Sequence, residues 1–132
     1  GSEQLKKLPK FIEQRRKNAQ IFEQAFKNDQ RFLVQKEIGR SSWFGFSFII
    51  NDLNLERKNI LSILKKNQIE TRPIVTGDFT KNEVLKFFDY SIHGNLKNAK
   101  ILDKKGFFVG NSHEDLANEI HHLKNILNHV DE

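Results

Sequence analysis

Apolar residues recur at steps of three, four and seven through Leu5, Leu8, Ile12, Ala19, Phe22 and Phe26, which predicts one long amphipathic helix over about residues 4–27. Pro9 falls in its first turns, where proline is tolerated, or it divides a short leading turn from the main helix. Residues 31–34 read as a short strand. Residues 43–50 are rich in aromatic and β-branched side chains and read as a second strand, with Gly45 marking a bulge or a close approach. After a turn at Asn51-Asp52, Asn54 is placed to cap a helix carrying Ile60, Leu61, Ile63 and Leu64 and ending near Asn67. A strand follows from Ile69 to Val75. Residues 82–88 predict a short helix and residues 96–105 another, closed by Gly106 in a C′ position. Phe107-Phe108-Val109 predicts a short buried strand. Ser112 and Asp115 suggest a capping box for a last helix, whose buried stripe is Leu116, Ile120, Leu123, Leu127 and Val130. The pattern predicts an α/β (α+β) sandwich: a short sheet with helices on one side.

Size and composition narrow the class. The chain has 132 residues, enough for one domain with one core. Hydrophobic residues at 37% and charged residues at 30% fit a folded globular domain rather than a disordered one. Without cysteine there is no disulfide framework, thiolate zinc site or thiol nucleophile, and a cytoplasmic protein is the expectation. No apolar run is long enough to span a bilayer, so no membrane partner is expected. Gly1-Ser2 reads as a cloning remnant, leaving residues 3–132 as a single domain. The net charge of +5 raises nucleic acid as a partner. However, Lys6, Lys7, Lys10, Arg15, Arg16 and Lys17 share their helix with Glu3, Glu13 and Glu23. Mixed charge of that kind is a solvated face, and no nucleic-acid partner is expected.

The chemistry concentrates in residues 69–80. Glu70 and Arg72 stand two apart on a strand and therefore share a face. The strand then breaks at Pro73 and Gly77 into a polar loop that includes Asp78, Phe79 and Thr80. Such a pair at a loop can grip a polar, anionic ligand, or it can be a structural ion pair on an edge strand. His121, His122 and His129 read as surface positions of the last helix. His93 lies in a loop, free to meet a ligand or a backbone carbonyl. Ser112 and His113 open the last helix, where free amides could receive an anion or serve an ordinary cap. No metal-ligand spacing, nucleophile elbow or glycine-rich phosphate loop occurs, so the chain holds no complete catalytic constellation and no cofactor-binding or metal-binding set of its own.

Three blocks in order carry a resemblance: Ser42-Trp43-Phe44-Gly45-Phe46, Arg72-Pro73-Ile74-Val75-Thr76-Gly77-Asp78-Phe79, and Gly106-Phe107-Phe108-Val109-Gly110-Asn111. Tyr90-Ser91-Ile92-His93 and Asn98-Ala99 lie between the last two. Together they resemble the C-terminal domain of the DegT/StrS family of vitamin B6-dependent sugar-nucleotide enzymes. The resemblance runs from about Leu5 to Leu127.

It implies the small C-terminal domain of the fold-type I aminotransferase fold, with the pyridoxal or pyridoxamine 5′-phosphate site in a large domain outside this chain. The implied reaction removes the 3-hydroxyl of a nucleotide-linked 4-keto-6-deoxyhexose, with glutamate as amino donor, in a homodimeric parent serving lipopolysaccharide and O-antigen deoxysugar synthesis. A sugar aminotransferase of the same family is the alternative, and a non-catalytic binding module a further one. The implied substrate contacts are Glu70, Arg72, Gly77, Asp78, Phe79, His93 and Asn111, with Trp43 and Phe44 near the domain junction or in the core. The chain departs from the family pattern at Asp78, where Gly-Asn-Phe is expected, and at Ser112, which separates Asn111 from His113.

Overall fold

A computed structural model describes residues 1–130. Its helices are α1 (Ser2–Phe26), α2 (Arg57–Lys66), α3 (Lys97–Lys105) and α4 (Ala117–Asn128). Its strands are β1 (Phe32–Val34), β2 (Gly45–Ile50), β3 (Thr71–Arg72) and β4 (Gly106–Gly110), joined in one antiparallel sheet of order β1-β2-β4-β3.

Register fixes which residues form the core. Phe46 pairs with Val109, Phe48 with Phe107 and Phe32 with Ile50, so all six lie on one face, and all are buried. Ala19, Phe22 and Phe26 of α1, Ile60 and Leu64 of α2, and Ile120, Leu123 and Leu127 of α4 complete the same cluster. Phe22 stacks on Phe46 at 4.4 Å, and Phe48 on Phe107 at 5.0 Å between ring centroids. The other face of the sheet, with Ser47, Phe108 and Arg72, stays half-buried or open. Three of the four helices, α1, α2 and α4, thus pack on one face of the sheet as the apolar pattern predicts, whereas α3 contributes no residue to that cluster. Gly45 is a close approach within a regular ladder: a Cβ there would stand 2.7 Å from the Val109 carbonyl oxygen and 2.8 Å from the Phe108 ring.

Several elements differ from expectation. Leu5 and Leu8 are exposed although they continue the apolar stripe. The 25 residues of α1 extend ~37 Å, whereas the six of β2 reach roughly 20 Å, so the first turns of α1 overshoot the sheet. The strand expected over residues 69–75 contracts to Thr71–Arg72, because Pro73 has no N–H for the ladder. Residues 82–88 form no α-helix. Two short 3-10 turns, Phe79–Lys81 and Glu83–Phe87, stand there, and Val84, Phe87 and Phe88 have no apolar cover that would reward an amphipathic helix. Asn54 does not cap α2, whose first-turn boundary falls at Glu56; its N–H instead donates to Asp52. Gly106 is extended rather than left-handed and already belongs to β4. Ser112 and Asp115 make local turns with the Glu114 and Ala117 amides, and α4 begins beyond them.

Candidate functional site

β3 and β4 pair only through Thr71 with Val109 and Arg72 with Phe108. Continued register would set Glu70 opposite Gly110, but the strands have parted there. The gap opens into a cleft of about 550 Å³. Its floor is apolar, from Phe46, Val109, Leu116, Ile120 and Leu123, and its charged groups are Arg15, Glu70, Arg72 and Glu119.

At the β3 edge, the Arg72 guanidinium donates to one Glu70 oxygen from Nη2 at 2.8 Å and from Nε at 3.2 Å. Both side chains are largely exposed, at 68% and 77%. The expected pair on one strand face is thus formed and stands in solvent at the cleft. Exposed pairs of this kind contribute little to folding, so the Glu70–Arg72 contact can break at small cost.

On the opposite side, Trp43 adopts φ 51°, a left-handed conformation uncommon for a bulky residue. That twist sends two successive aromatics in different directions. The Trp43 ring is buried, and the Phe44 ring is 77% exposed at the cleft, 6.0 Å from the Phe108 ring. Asn111 fixes the twist, its amide donating to the Trp43 carbonyl at 2.9 Å and the Arg15 carbonyl at 3.1 Å. Its oxygen accepts from Asn18 at 3.0 Å and from the Ser112 amide at 2.9 Å. Asn18, fully buried, also donates to the Ser112 and Glu114 carbonyls and accepts from the Leu116 amide. One buried amide pair thereby ties α1, the start of β2, the end of β4 and the start of α4 behind the cleft.

Glu70, Arg72 and Asn111 come together here, although the Asn111 side chain is spent on backbone and Asn18. Gly77, Asp78, Phe79 and His93 do not line the cleft. Asp78 is buried, with its carboxylate accepting from the Thr80 hydroxyl at 2.6 Å and its amide at 3.2 Å, so it caps the first 3-10 turn instead of facing a ligand. Gly77, at φ 57°, lies against Asp103, where a Cβ would stand 2.7 Å from a carboxylate oxygen. Lys81 binds that carboxylate at 2.5 Å and lowers the Asp103 pKa. Phe79 and His93 are exposed beside this loop and in the following one. At the anion site considered at Ser112, three amides are already used: that of Leu116 by Asn18, and those of Glu114 and Ala117 by Ser112 and Asp115. His121, His122 and His129 are exposed, as expected.

Sequence reasoning missed Asn18, Arg15 and Glu119 as parts of the site and its frame. Asn18 left a signal: it stands four residues before Phe22 on the buried stripe, where a polar residue needs a buried partner. Among the described residues, no group of three His, Asp or Glu side chains could hold a metal ion, and no helix is long and apolar enough to cross a membrane.

Residues 1–126 match the model of the DegT/DnrJ/EryC1/StrS aminotransferase family, and the chain belongs to that family. It is 54% identical over 129 residues to a GDP-4-keto-6-deoxy-D-mannose 3-dehydratase of Escherichia coli O55:H7, with 96% of this chain and 33% of that protein covered. A crystal structure of GDP-4-keto-6-deoxymannose-3-dehydratase with a trapped PLP-glutamate geminal diamine superposes with a TM-score of 0.93 at 53% identity, over 96% of this chain and 33% of that one. A lipopolysaccharide biosynthesis protein, RfbH of Salmonella typhimurium, is 25% identical over 114 residues, covering 83% of this chain and 26% of its own length. The chain thus spans about a third of the length of the 3-dehydratases it matches, and its fold is that of part of a PLP-dependent aminotransferase-fold protein.

Proposed function

We propose that this chain is the substrate-facing small domain of a nucleotide-sugar 3-dehydratase that works with pyridoxal or pyridoxamine 5′-phosphate. Residues 3–132 form that domain. The parent removes the 3-hydroxyl of a GDP-linked 4-keto-6-deoxyhexose, with glutamate as amino donor, as a cytoplasmic homodimer in the deoxysugar branch of lipopolysaccharide and O-antigen synthesis. The carrying observation is the exposed Glu70–Arg72 pair at a cleft, in a chain 54% identical to a dehydratase of that substrate.

The cofactor supplies the electron sink. Residues of the cleft do not fit a site for it: no lysine, histidine, serine or aspartate lines the cavity. We therefore assign its binding, and the proton-transferring base, to the part of the parent outside this chain. What this chain contributes is orientation. Arg72, permanently charged and planar, presents a fork of donors to phosphate or sugar hydroxyls. Glu70 holds that fork until the ligand arrives and can then accept from a hydroxyl.

The test is the full-length parent with GDP-4-keto-6-deoxymannose, cofactor and glutamate, the products being resolved by mass spectrometry. A 3-deoxy product supports the reading. A 4-amino product without loss of the 3-hydroxyl would make the parent an aminotransferase.

A further inference from the structure

We infer that Arg15, on α1, is a second ligand-contacting residue of this cleft and receives the diphosphate of the nucleotide-linked substrate. The inference rests on the proposed function and adds a residue to its site.

Two guanidinium groups line the cleft, and their states differ. Arg72 is engaged by Glu70. Arg15 makes one hydrogen bond, from Nη2 to the Asn111 carbonyl at 2.8 Å, and no acid pairs with it among the described residues. Its neighbours Lys17 and Lys6 on the same helix are each paired with a glutamate, Lys17 with Glu13 at 2.8 Å and Lys6 with Glu3 at 2.6 Å. Arg15 is also half-buried, whereas those lysines are open to solvent. A guanidinium carries five N–H donors in a fixed plane, and one carbonyl uses only one of them. A half-desolvated cation with spare donors and no carboxylate bonded to it, here with Glu119 in the same cleft but unpaired to it, can receive an anion.

Its position is also set in advance. The Asn111 carbonyl that holds Arg15 belongs to the residue whose side chain is locked by Asn18, Trp43 and the Arg15 backbone itself. The same residue thus anchors the guanidinium and the turn that projects Phe44. Preorganised donors lose less freedom on binding than a loose lysine would. Two arginines on different elements, one fixed and one exchangeable, suit a ligand with two linked anionic groups.

The experiment uses the full-length parent and measures Kd by calorimetry for GDP and for guanosine, which lacks phosphate. Arg15→Gln should raise the Kd for GDP at least about tenfold and leave that for guanosine within about twofold. Arg15→Lys keeps the charge and loses the fork, so it should fall between. Unchanged GDP binding in Arg15→Gln, with Arg72→Ala weakened, overturns the inference alone. Unchanged GDP binding in both variants overturns the reading of the cleft as well. If Arg15→Gln does not fold, Arg15→Lys decides: GDP binding equal to wild type, or an equal loss for GDP and guanosine, overturns the proposal.

Discussion

Replacing Arg72 by Ala in the full-length parent separates a substrate contact from a structural ion pair, because the structure assigns the two roles very different energies. The Arg72–Glu70 pair is 68% and 77% exposed, and a pair so open contributes ~0.2–1 kcal/mol to folding. Arg72 adds nothing to the core, and its place opposite Phe108 in the ladder, set by backbone, does not depend on its side chain. The folded state should therefore lose less than about 1 kcal/mol, and the cofactor absorbance spectrum should not change. A charge-assisted hydrogen bond to substrate is worth roughly 1.5–3 kcal/mol, so kcat/KM should fall about ten- to hundredfold. Arg72→Lys should recover part of the loss, since the charge returns without the bidentate fork. The assays are steady-state kinetics on the 4-keto nucleotide sugar, the cofactor spectrum and a thermal melt on the same preparation. Unchanged kcat/KM would make Arg72 a surface residue. A fall in kcat/KM that tracks a collapsed melt would also refute the argument, because a structural pair would then suffice.

Leu123 is 4% exposed between α4 and the sheet, and Leu123→Ala should cost about 2–5 kcal/mol in denaturant melts; a loss under half a kcal/mol would remove it from the core. Burial raises the Asp29 pKa, but hydrogen bonds from Arg31 and Lys124 outweigh it and bring the pKa down to about 2. A lowered carboxylate pKa stabilises the fold above the unfolded value of 3.8, and the gain, ~2 kcal/mol, is lost as pH falls through 3.8 toward 2. Asp29→Asn should flatten that part of the stability–pH curve. The isolated chain supplied with cofactor, glutamate and the 4-keto sugar should show no turnover, and product formation would refute the assignment of the chemistry to another part of the parent.

Much of the fold is legible in the sequence where one periodicity dominates. Phe22 and Phe26, the alternating Phe46, Phe48 and Ile50, and Ile120, Leu123 and Leu127 each declare a face, and each face is buried as read. The misreadings occur where local signals compete with tertiary context. Ser112 and Asp115 carry the letters of a capping box, yet Asn18, nearly a hundred residues earlier, takes the Leu116 amide and moves the helix start. Gly106 carries the letter of a helix C-terminus, but its pairing with Ile49 draws it into β4, and glycine is needed there because a Cβ would stand 2.5 Å from the Leu102 carbonyl oxygen. Glu70 and Arg72 were readable because strand period alone aligns them. Arg15 was not, because what distinguishes it from Lys10 and Lys17 is its half-buried place in the cleft on the Asn111 carbonyl, a fact of three-dimensional packing.

The cleft itself follows from how short β3 is. Gln68, at φ 60°, turns the chain just before the strand, and Pro73 ends the ladder just after it. Only Thr71 and Arg72 reach β4. Were the pairing to continue, Glu70 would lie against Gly110 and the space above Val109 and Ile120 would close. Gly110 has no side chain to fill it, and no atom lies within 4 Å of the Cβ it lacks. The proline and the absent Cβ thus act together: one stops the strand at Arg72, the other leaves open the room beside Glu70. The charged pair stands where the sheet stops, on a backbone held by two ladder residues and flanked by a turn on each side. That arrangement holds the Arg72 backbone in the ladder while its side chain stands exposed beside Glu70.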